Sequence, residues 1–400
     1  MLTIRWSRNT VYNVLTALLI VTIWAFNETK TITYPVKIAY ILFLGYYSIK
    51  KRRTSDSYQI WCIVMCVISG LAMLIAPSIS ASLYTFINLL QVFLIGFVTF
   101  GYVDDEKKVS FVLQALVLGG IVLAVRLIIV TPANVWLSWQ RLGDAIGSNS
   151  NDVGNKTAFS AIIALSMAKS SQRKKRIIYL IAFGILLVIV LFSGSRKALI
   201  AVVIGAILLY TIGLQRKRRL VVSALVIGAI LFFGYRLMMS NGVLYATIGR
   251  RIETMIDVFF HGGSEAHSID LREKYLLAAW GLIKQHPLFG IGLGAFSYIS
   301  GYGVYSHCDY TEVACSFGLI GFIIYYLPLS SQTLKYVLLR KKSDLDYGFL
   351  IIQIVLFITY ITMVMYTSAY TQFIIAVLIV HYRINEKKRT DVVSIPDHAY

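Results

Sequence analysis

The chain has 400 residues, of which 58% are hydrophobic and only 14% charged, against roughly 45–50% and about 25% in soluble domains. With a mean hydropathy of +0.71, most of its surface must face lipid or other lipid-facing helices, which excludes a cytosolic enzyme, a nucleic-acid-binding domain and a disordered scaffold. The formal charge of +19 is not a nucleic-acid signal, because the basic residues sit in short clusters between apolar runs rather than in a stripe with interleaved aromatics. The expected partner is a lipid bilayer, not a nucleic acid. Cys62, Cys66, Cys308 and Cys315 form no disulfide framework, and Cys62 and Cys66, at helical spacing in an apolar run, read as small core residues.

A membrane span needs about 20 apolar residues, with a range of about 17–25. In chain order, apolar runs cover 10–26, 34–49, 58–76, 82–101, 109–131, 155–168, 177–192, 197–214, 220–239, 310–330, 347–366 and 370–382. The first run is followed by Trp24-Ala25-Phe26-Asn27, without a small-residue cleavage site, and reads as a span rather than a signal peptide. Basic clusters mark every second connection: Arg5 and Arg8, Lys50-Lys51-Arg52-Arg53, Lys107-Lys108, Arg173-Lys174-Lys175-Arg176, Arg216-Lys217-Arg218-Arg219, Arg340-Lys341-Lys342 and Lys387-Lys388-Arg389. The positive-inside rule then predicts both termini in the cytoplasm. The fold expected is an all-α integral membrane protein of about twelve transmembrane helices, with residues 1–400 as a single polytopic domain.

The charge rule also decides two runs. The stretch 155–168 is short and carries Lys156, Ser160 and Ser166. It is kept as a span because otherwise the cluster at 173–176 would lie outside. Between Arg176 and Arg216 the chain would measure about 58 Å as one helix at about 1.5 Å per residue, nearly twice the hydrocarbon thickness. It must therefore be a hairpin, turning at Ser193-Gly194-Ser195 and setting Arg196 at the outer surface. Residues 347–382 form a similar hairpin around Thr367-Ser368.

Residues 240–309 form one large extracytoplasmic loop. From Tyr245 to Phe260, apolar residues at 248, 252, 255, 256 and 259 make a helical stripe, as in an interfacial amphipathic helix. A second helix is expected to start near Asp270, with Glu273 completing a capping-box pattern, and to stop before Pro287. A shorter external connection, 132–154, contains Arg141, Asp144 and Gly147.

The run from His286 to Phe296 carries glycines at GxGxG spacing. It is not a dinucleotide fingerprint, which needs a strand before and a helix after. Gly290 and Gly292 serve either a tight turn or close approach to a substrate. His307, at the outer end of the tenth span, reads either as an interfacial polar residue or as a proton acceptor. His307, Asp309 and Glu312 have no further support as a metal site, and no metal is expected. Arg196 and Arg272 lie on the same side as His307. They read either as snorkelling or salt-bridged arginines or as a phosphate grip, because guanidinium groups match phosphate bidentately. Arg126, inside the fifth span, is a functional candidate as an intramembrane charge, and Arg141 is another.

Three motifs in order resemble a known family. Ser193-Gly194-Ser195-Arg196-Lys197-Ala198 resembles the Ser-Arg motif of O-antigen ligases and of O-antigen or capsular polysaccharide polymerases. Arg272 through Trp280 and then His286-Pro287-Leu288-Phe289-Gly290-Ile291-Gly292 is similar to that family's Arg…Trp…His-Pro-Leu-x-Gly-x-Gly pattern. His307 followed by Gly318-Leu319-Ile320-Gly321 is similar to its His…Gly-Leu-x-Gly ending. The family-like region covers 190–325. It departs from the pattern at Cys308, where the family often has Asn, and at Ser316, where an acidic residue is common; Asp309 and Glu312 are the nearby carboxylates.

The resemblance implies a metal-independent, cofactor-free membrane glycosyltransferase at the outer face of the bacterial cytoplasmic (inner) membrane. Its donor would be an undecaprenyl-diphosphate-linked oligosaccharide. Arg196 and Arg272 would bind the diphosphate and stabilise its developing charge, and His307 would take or orient the acceptor hydroxyl. Arg126, Arg141, Gly290, Gly292, Asp309 and Glu312 complete the expected substrate-binding set. Flippase and chain-length regulator proteins are the implied partners. Composition leans towards a polymerase joining repeat units; a ligase transferring glycan to a lipid core is the alternative. A transporter or flippase of a lipid-linked or amphipathic anion is the competing class. It would gather ionisable residues at mid-membrane rather than at one surface and would show an internal repeat, which the sequence lacks.

Overall fold

The computed structural model describes residues 8–50, 56–136, 140, 142–212, 217–250, 252–253, 256–257 and 266–393. Among the described residues there is no strand. Thirteen long helices follow one another: α1 (Arg8–Ala25), α2 (Lys30–Lys50), α3 (Ser57–Leu74), α4 (Ile79–Tyr102), α5 (Glu106–Val130), α6 (Ser150–Ser170), α7 (Arg173–Ser193), α8 (Arg196–Thr211), α9 (Lys217–Ser240), α10 (Ala266–Gln285), α11 (Asp309–Leu338), α12 (Asp344–Thr362) and α13 (Ala369–Val393). Each of the twelve apolar runs overlaps one of these helices, although the run 347–366 extends beyond α12, which ends at Thr362. Six of them, α3, α4, α5, α7, α11 and α12, are long and apolar enough to cross a membrane by length and composition. The chain is an all-helical polytopic membrane protein.

Helix α6 explains why the sixth run is so weakly apolar. It packs against α5, α7, α8 and α12, and its residues from Val153 to Ala168 are all buried. Its polar side chains meet protein instead of lipid. The Trp24 indole N–H donates to Ser160 Oγ (2.9 Å) and to the Lys156 carbonyl (3.2 Å), and Ser160 Oγ donates to the Leu116 carbonyl (2.7 Å). A helix enclosed on all sides needs no lipid-facing stripe, and buried hydroxyls are tolerated when paired. Its neighbour α7 is the converse: strongly apolar, it leaves Ile177, Ile178 and Ile181 exposed, as lipid contact requires.

The long connection after α9 differs in part from expectation. Helix α10 begins at Ala266, ahead of Asp270, because nothing in the preceding residues 266–269 breaks a helix; it ends at Gln285, before Pro287. Of the expected amphipathic helix over 245–260, Tyr245–Gly249 forms a single π turn. Residues 251, 254–255 and 258–265 lie outside the described residues, as does Arg141.

Helix α11 is broken at Gly318, where the backbone turns to φ 65° and ψ −174°. The glycine-rich segment after α10 is stitched into that break. Leu319 N–H donates to the Pro287 carbonyl (2.7 Å), and Ile291 N–H to the Cys315 carbonyl (2.8 Å). Leu293 N–H donates to the Ala72 carbonyl at the end of α3 (2.9 Å), and its own carbonyl accepts from Ser82 Oγ of α4 (2.7 Å). These bonds anchor the family-like loop to the N-terminal half of the bundle.

Candidate active site

The first cations come from the α7–α8 turn. Gly194 takes the left-handed conformation (φ 65°) and ends α7. Ser195 caps α8, its Oγ accepting from the Ala198 N–H (3.4 Å) and donating to Asn151 Oδ1 of α6 (3.1 Å). The turn sits so close to α6 that a Cβ at Gly154 would lie 2.6 Å from Ser195 Cβ. Arg196 and Lys197 are the first residues after this clamp and are half-buried. The Lys197 ammonium donates to the carbonyl of Thr362, the last residue of α12. It also interacts electrostatically with Arg272, Arg196 and Cys308.

The second element is α10. Arg272 is exposed near its start, and Tyr275 follows three residues on, on the same helix face. Both reach His307: the Tyr275 ring stacks on the imidazole at 5.6 Å and 20°, and Arg272 acts on its charge. Tyr305 packs on the imidazole at 4.4 Å.

His307 sits at φ 62°, a region that non-glycine residues seldom occupy and that concentrates at functional sites. Glu312 holds the segment before it. Its buried carboxylate accepts the Ser306 N–H at 2.8 Å, while Thr311 Oγ1 donates to Ser306 Oγ at 2.9 Å. Burial, and then the charges of Arg272 and Lys197, lower the His307 pKa to about 4. The imidazole is therefore neutral near pH 7. Burial raises the Tyr305 phenol, with Arg272 opposing.

Lys197, Arg272 and His307 thus interact at the end of the bundle that carries the α7–α8 and α12–α13 turns, with Arg196 next to Lys197. The other expected site residues are engaged elsewhere. Asp309 is fully buried and accepts from the Tyr326 hydroxyl (2.7 Å) and from the N–H groups of Met365 (2.6 Å) and Tyr366 (2.7 Å), so it ties the α12–α13 turn to α11. Arg126 donates to the Ala25 carbonyl and lies 4.7 Å over the Phe26 ring. Gly290 (φ 73°) and Gly292 (φ 102°) face protein rather than open space. A Cβ at the first would strike the backbone of Cys315 and Gly318, and at the second the backbone of Ala76. The turn reading accounts for both, since only glycine combines positive φ with such close backbone contact.

Sequence reasoning missed Lys197, Tyr275 and Tyr305. Lys197 was adjacent to Arg196 in the motif, and Tyr275 stood at i+3 from Arg272; Tyr305 carried no signal. Among the described residues no group of three or more His, Cys, Asp or Glu is placed to hold a metal. A cavity of about 960 Å³ at the opposite end of the bundle, lined by Glu106, Lys175, Lys341, Lys342 and His381 among others, takes no part in this cluster.

The region that builds the cluster is also the region that a known family shares. Residues 181–326 match the family model described as O-Antigen ligase. The match supports the O-antigen ligase and polymerase family. It spans α7 to the middle of α11, and so includes Arg196, Lys197, Arg272, Tyr275 and His307. No curated protein matches the chain. The match is a likeness of this region to that family, whose members are membrane glycosyltransferase-like enzymes.

Proposed function

We propose that the chain is a polysaccharide repeat-unit polymerase of the outer face of the bacterial cytoplasmic membrane, with both termini cytoplasmic. The observation that carries the proposal is the meeting of two cations, Arg272 and Lys197, with one neutral imidazole, Arg196 standing beside Lys197, at the end of the bundle opposite the clusters at 173–176 and 340–342. The positive-inside rule assigns those clusters to the cytoplasm. Ionisable groups gathered at turns rather than at mid-helix favour an enzyme over a transporter.

In the proposed reaction, Arg196 and Arg272 grip the diphosphate of an undecaprenyl-diphosphate-linked glycan, with Lys197 adding charge. The acceptor hydroxyl oxygen bonds to the donor's anomeric carbon, and the bond from that carbon to the diphosphate oxygen breaks. The diphosphate leaves on its lipid, its new charge met by the guanidinium groups. The hydroxyl proton passes to an imidazole nitrogen of His307. A pKa of about 4 makes His307 a weak base in the free protein. A bound diphosphate offsets the Arg272 and Lys197 charges and so raises it towards the working range. Glu312 positions His307 through Ser306. The diphosphate leaving group supplies the driving force without metal or nucleotide sugar. Flippase and chain-length regulator proteins are the expected partners.

The ligase reading stands beside this one because the matching family carries that description. The two differ only in the acceptor. Purified protein in nanodiscs, given a lipid-linked repeat unit and chelator, is expected to make a ladder of longer glycans. A single transfer to a lipid core, with no ladder, would establish the ligase instead.

A further inference from the structure

A second polar chamber lies at the same end of the bundle. It has a volume of about 210 Å³, between the α1–α2 turn, the first turns of α2, Tyr84 and Asn88 of α4, Asp152 and Lys156 of α6, and the α12–α13 turn. All of its lining lies outside residues 181–326.

Its charges do not cancel. The lining holds Lys30, Lys37 and Lys156 against Glu28 and Asp152. Asp152 is taken by Lys156, at 2.5 Å. The charge of Glu28 acts on Arg126. Lys30 and Lys37 have aromatic rings for company, Tyr84 at 5.2 Å and Tyr34 at 5.9 Å. Lys37 is only 5% exposed and Lys156 only 3%, and the two repel each other. Among the described residues Lys37 has no hydrogen bond and no ion pair. An ammonium at the end of so buried a side chain, facing a chamber and no anion, is costly, and an apolar side chain there would be the cheaper solution. Within a membrane protein such a charge is a candidate binding site by default.

We infer that this chamber binds the phosphate-bearing headgroup of a second lipid-linked substrate, the acceptor, whose anion Lys30 and Lys37 complete. The inference rests on reading the His307 cluster as the donor site. With Arg196 and Arg272 engaged by the donor's diphosphate, the acceptor's headgroup needs cations of its own. Helix α6 joins the two places: Asn151 bonds Ser195 beside Arg196, and Asp152 pairs with Lys156 in the chamber. The chamber is smaller than the about 300–1,000 Å³ of whole-ligand pockets, which suits a headgroup rather than an oligosaccharide. Exposed apolar residues beside its cations, Ile38 and Leu42 on α2 and Leu83 on α4, offer a track for an isoprenoid chain.

The test is titration of the full-length protein, in nanodiscs of uncharged lipid, with farnesyl diphosphate and with inorganic diphosphate. The wild type is expected to bind two equivalents of farnesyl diphosphate. Lys37→Met should weaken one of them by about tenfold to hundredfold, the usual worth of a charge-assisted contact, and Lys37→Arg should restore it. The Met variant should melt no lower than the wild type; a large fall in melting temperature would show that Lys37 holds the fold, and would overturn the inference. So would unchanged binding by the Met variant, or inorganic diphosphate binding at Lys37 as tightly as the farnesyl compound, since a lipid headgroup site must gain from the chain. Arg272→Ala separates the two proposals. If it leaves both equivalents intact while Lys37→Met removes one, the donor reading fails and the chamber stands.

Discussion

The His307 cluster and the lysine chamber share helix α6 but are built from different chemistry. The cluster uses two arginines, a lysine and a histidine stacked on Tyr275 and tilted against Tyr305, on the turn-and-helix elements of the matched region. The chamber's cations are all lysines, and its lining holds no histidine. A planar guanidinium fork suits a leaving diphosphate, and an imidazole can move a proton; a compact ammonium suits a static anion. The difference teaches that the cluster is equipped for bond-making and the chamber for holding. Damage to the cluster should appear in kcat, and damage to the chamber in KM for the acceptor.

The largest expected effect is at His307. His307→Ala should lower turnover by about 10²–10⁴-fold, the usual worth of general acid–base catalysis, while donor binding stays close to wild type. His307→Gln keeps a hydrogen-bonding group but cannot take the proton, and should be equally inactive. Near-normal chain growth from the Gln variant would reduce His307 to an orienting role.

Next is Arg272. Replacing it with Ala should cost about 10²–10³-fold in kcat, as for other groups that stabilise a transition-state anion. Arg272→Lys should fall between, because charge is kept but the fork is lost. Wild-type chain lengths from the Ala variant at normal protein levels would place this arginine outside the chemistry.

Gly154→Ala sharpens the comparison structurally, since α6 serves both places. The added methyl would press on Ser195 Cβ, 2.6 Å away. Overpacking of this kind costs about 1–3 kcal/mol, measurable as a lower thermal midpoint in detergent, and activity should fall with it. An unchanged midpoint would mean that the hairpin tip moves freely against α6.

The smallest effect is on pH dependence. With His307 at about 4 and an unfolded value near 6.5, the unfolded chain binds the extra proton between these limits. His307 therefore contributes full stability above about pH 6.5, and the contribution is lost as pH falls towards 4. The kcat/KM profile, which reports the free enzyme, should therefore hold up below pH 6.5, where an ordinary histidine would be charged. Lys197→Met removes one of the lowering charges and should move that limb upward by a fraction of a pH unit. A limb already at 6.5 in the wild type would show that His307 is not held neutral by its surroundings.

Much of the fold was legible in the residues alone. Apolar runs of span length located the helices that carry them, and Ser193-Gly194-Ser195 marked the α7–α8 turn, because span length and turn chemistry are local properties. The order Arg196, Arg272, His307 was visible as motifs. Hydropathy did not tell which helix is central: α6 looked weakest as a span because it touches protein on every side, and hydropathy measures preference for lipid, not for neighbours. Tertiary structure alone decided the company of each charge. It turned Arg126 to the Ala25 carbonyl, gave Asp309 to the α12–α13 turn, faced Gly290 and Gly292 to backbone, and brought Lys197 and Tyr275 to His307. It also left Lys37 buried beside Lys156. Pairing of charges across helices distant in sequence depends on which helices pack together and at what rotation, and no local pattern encodes that.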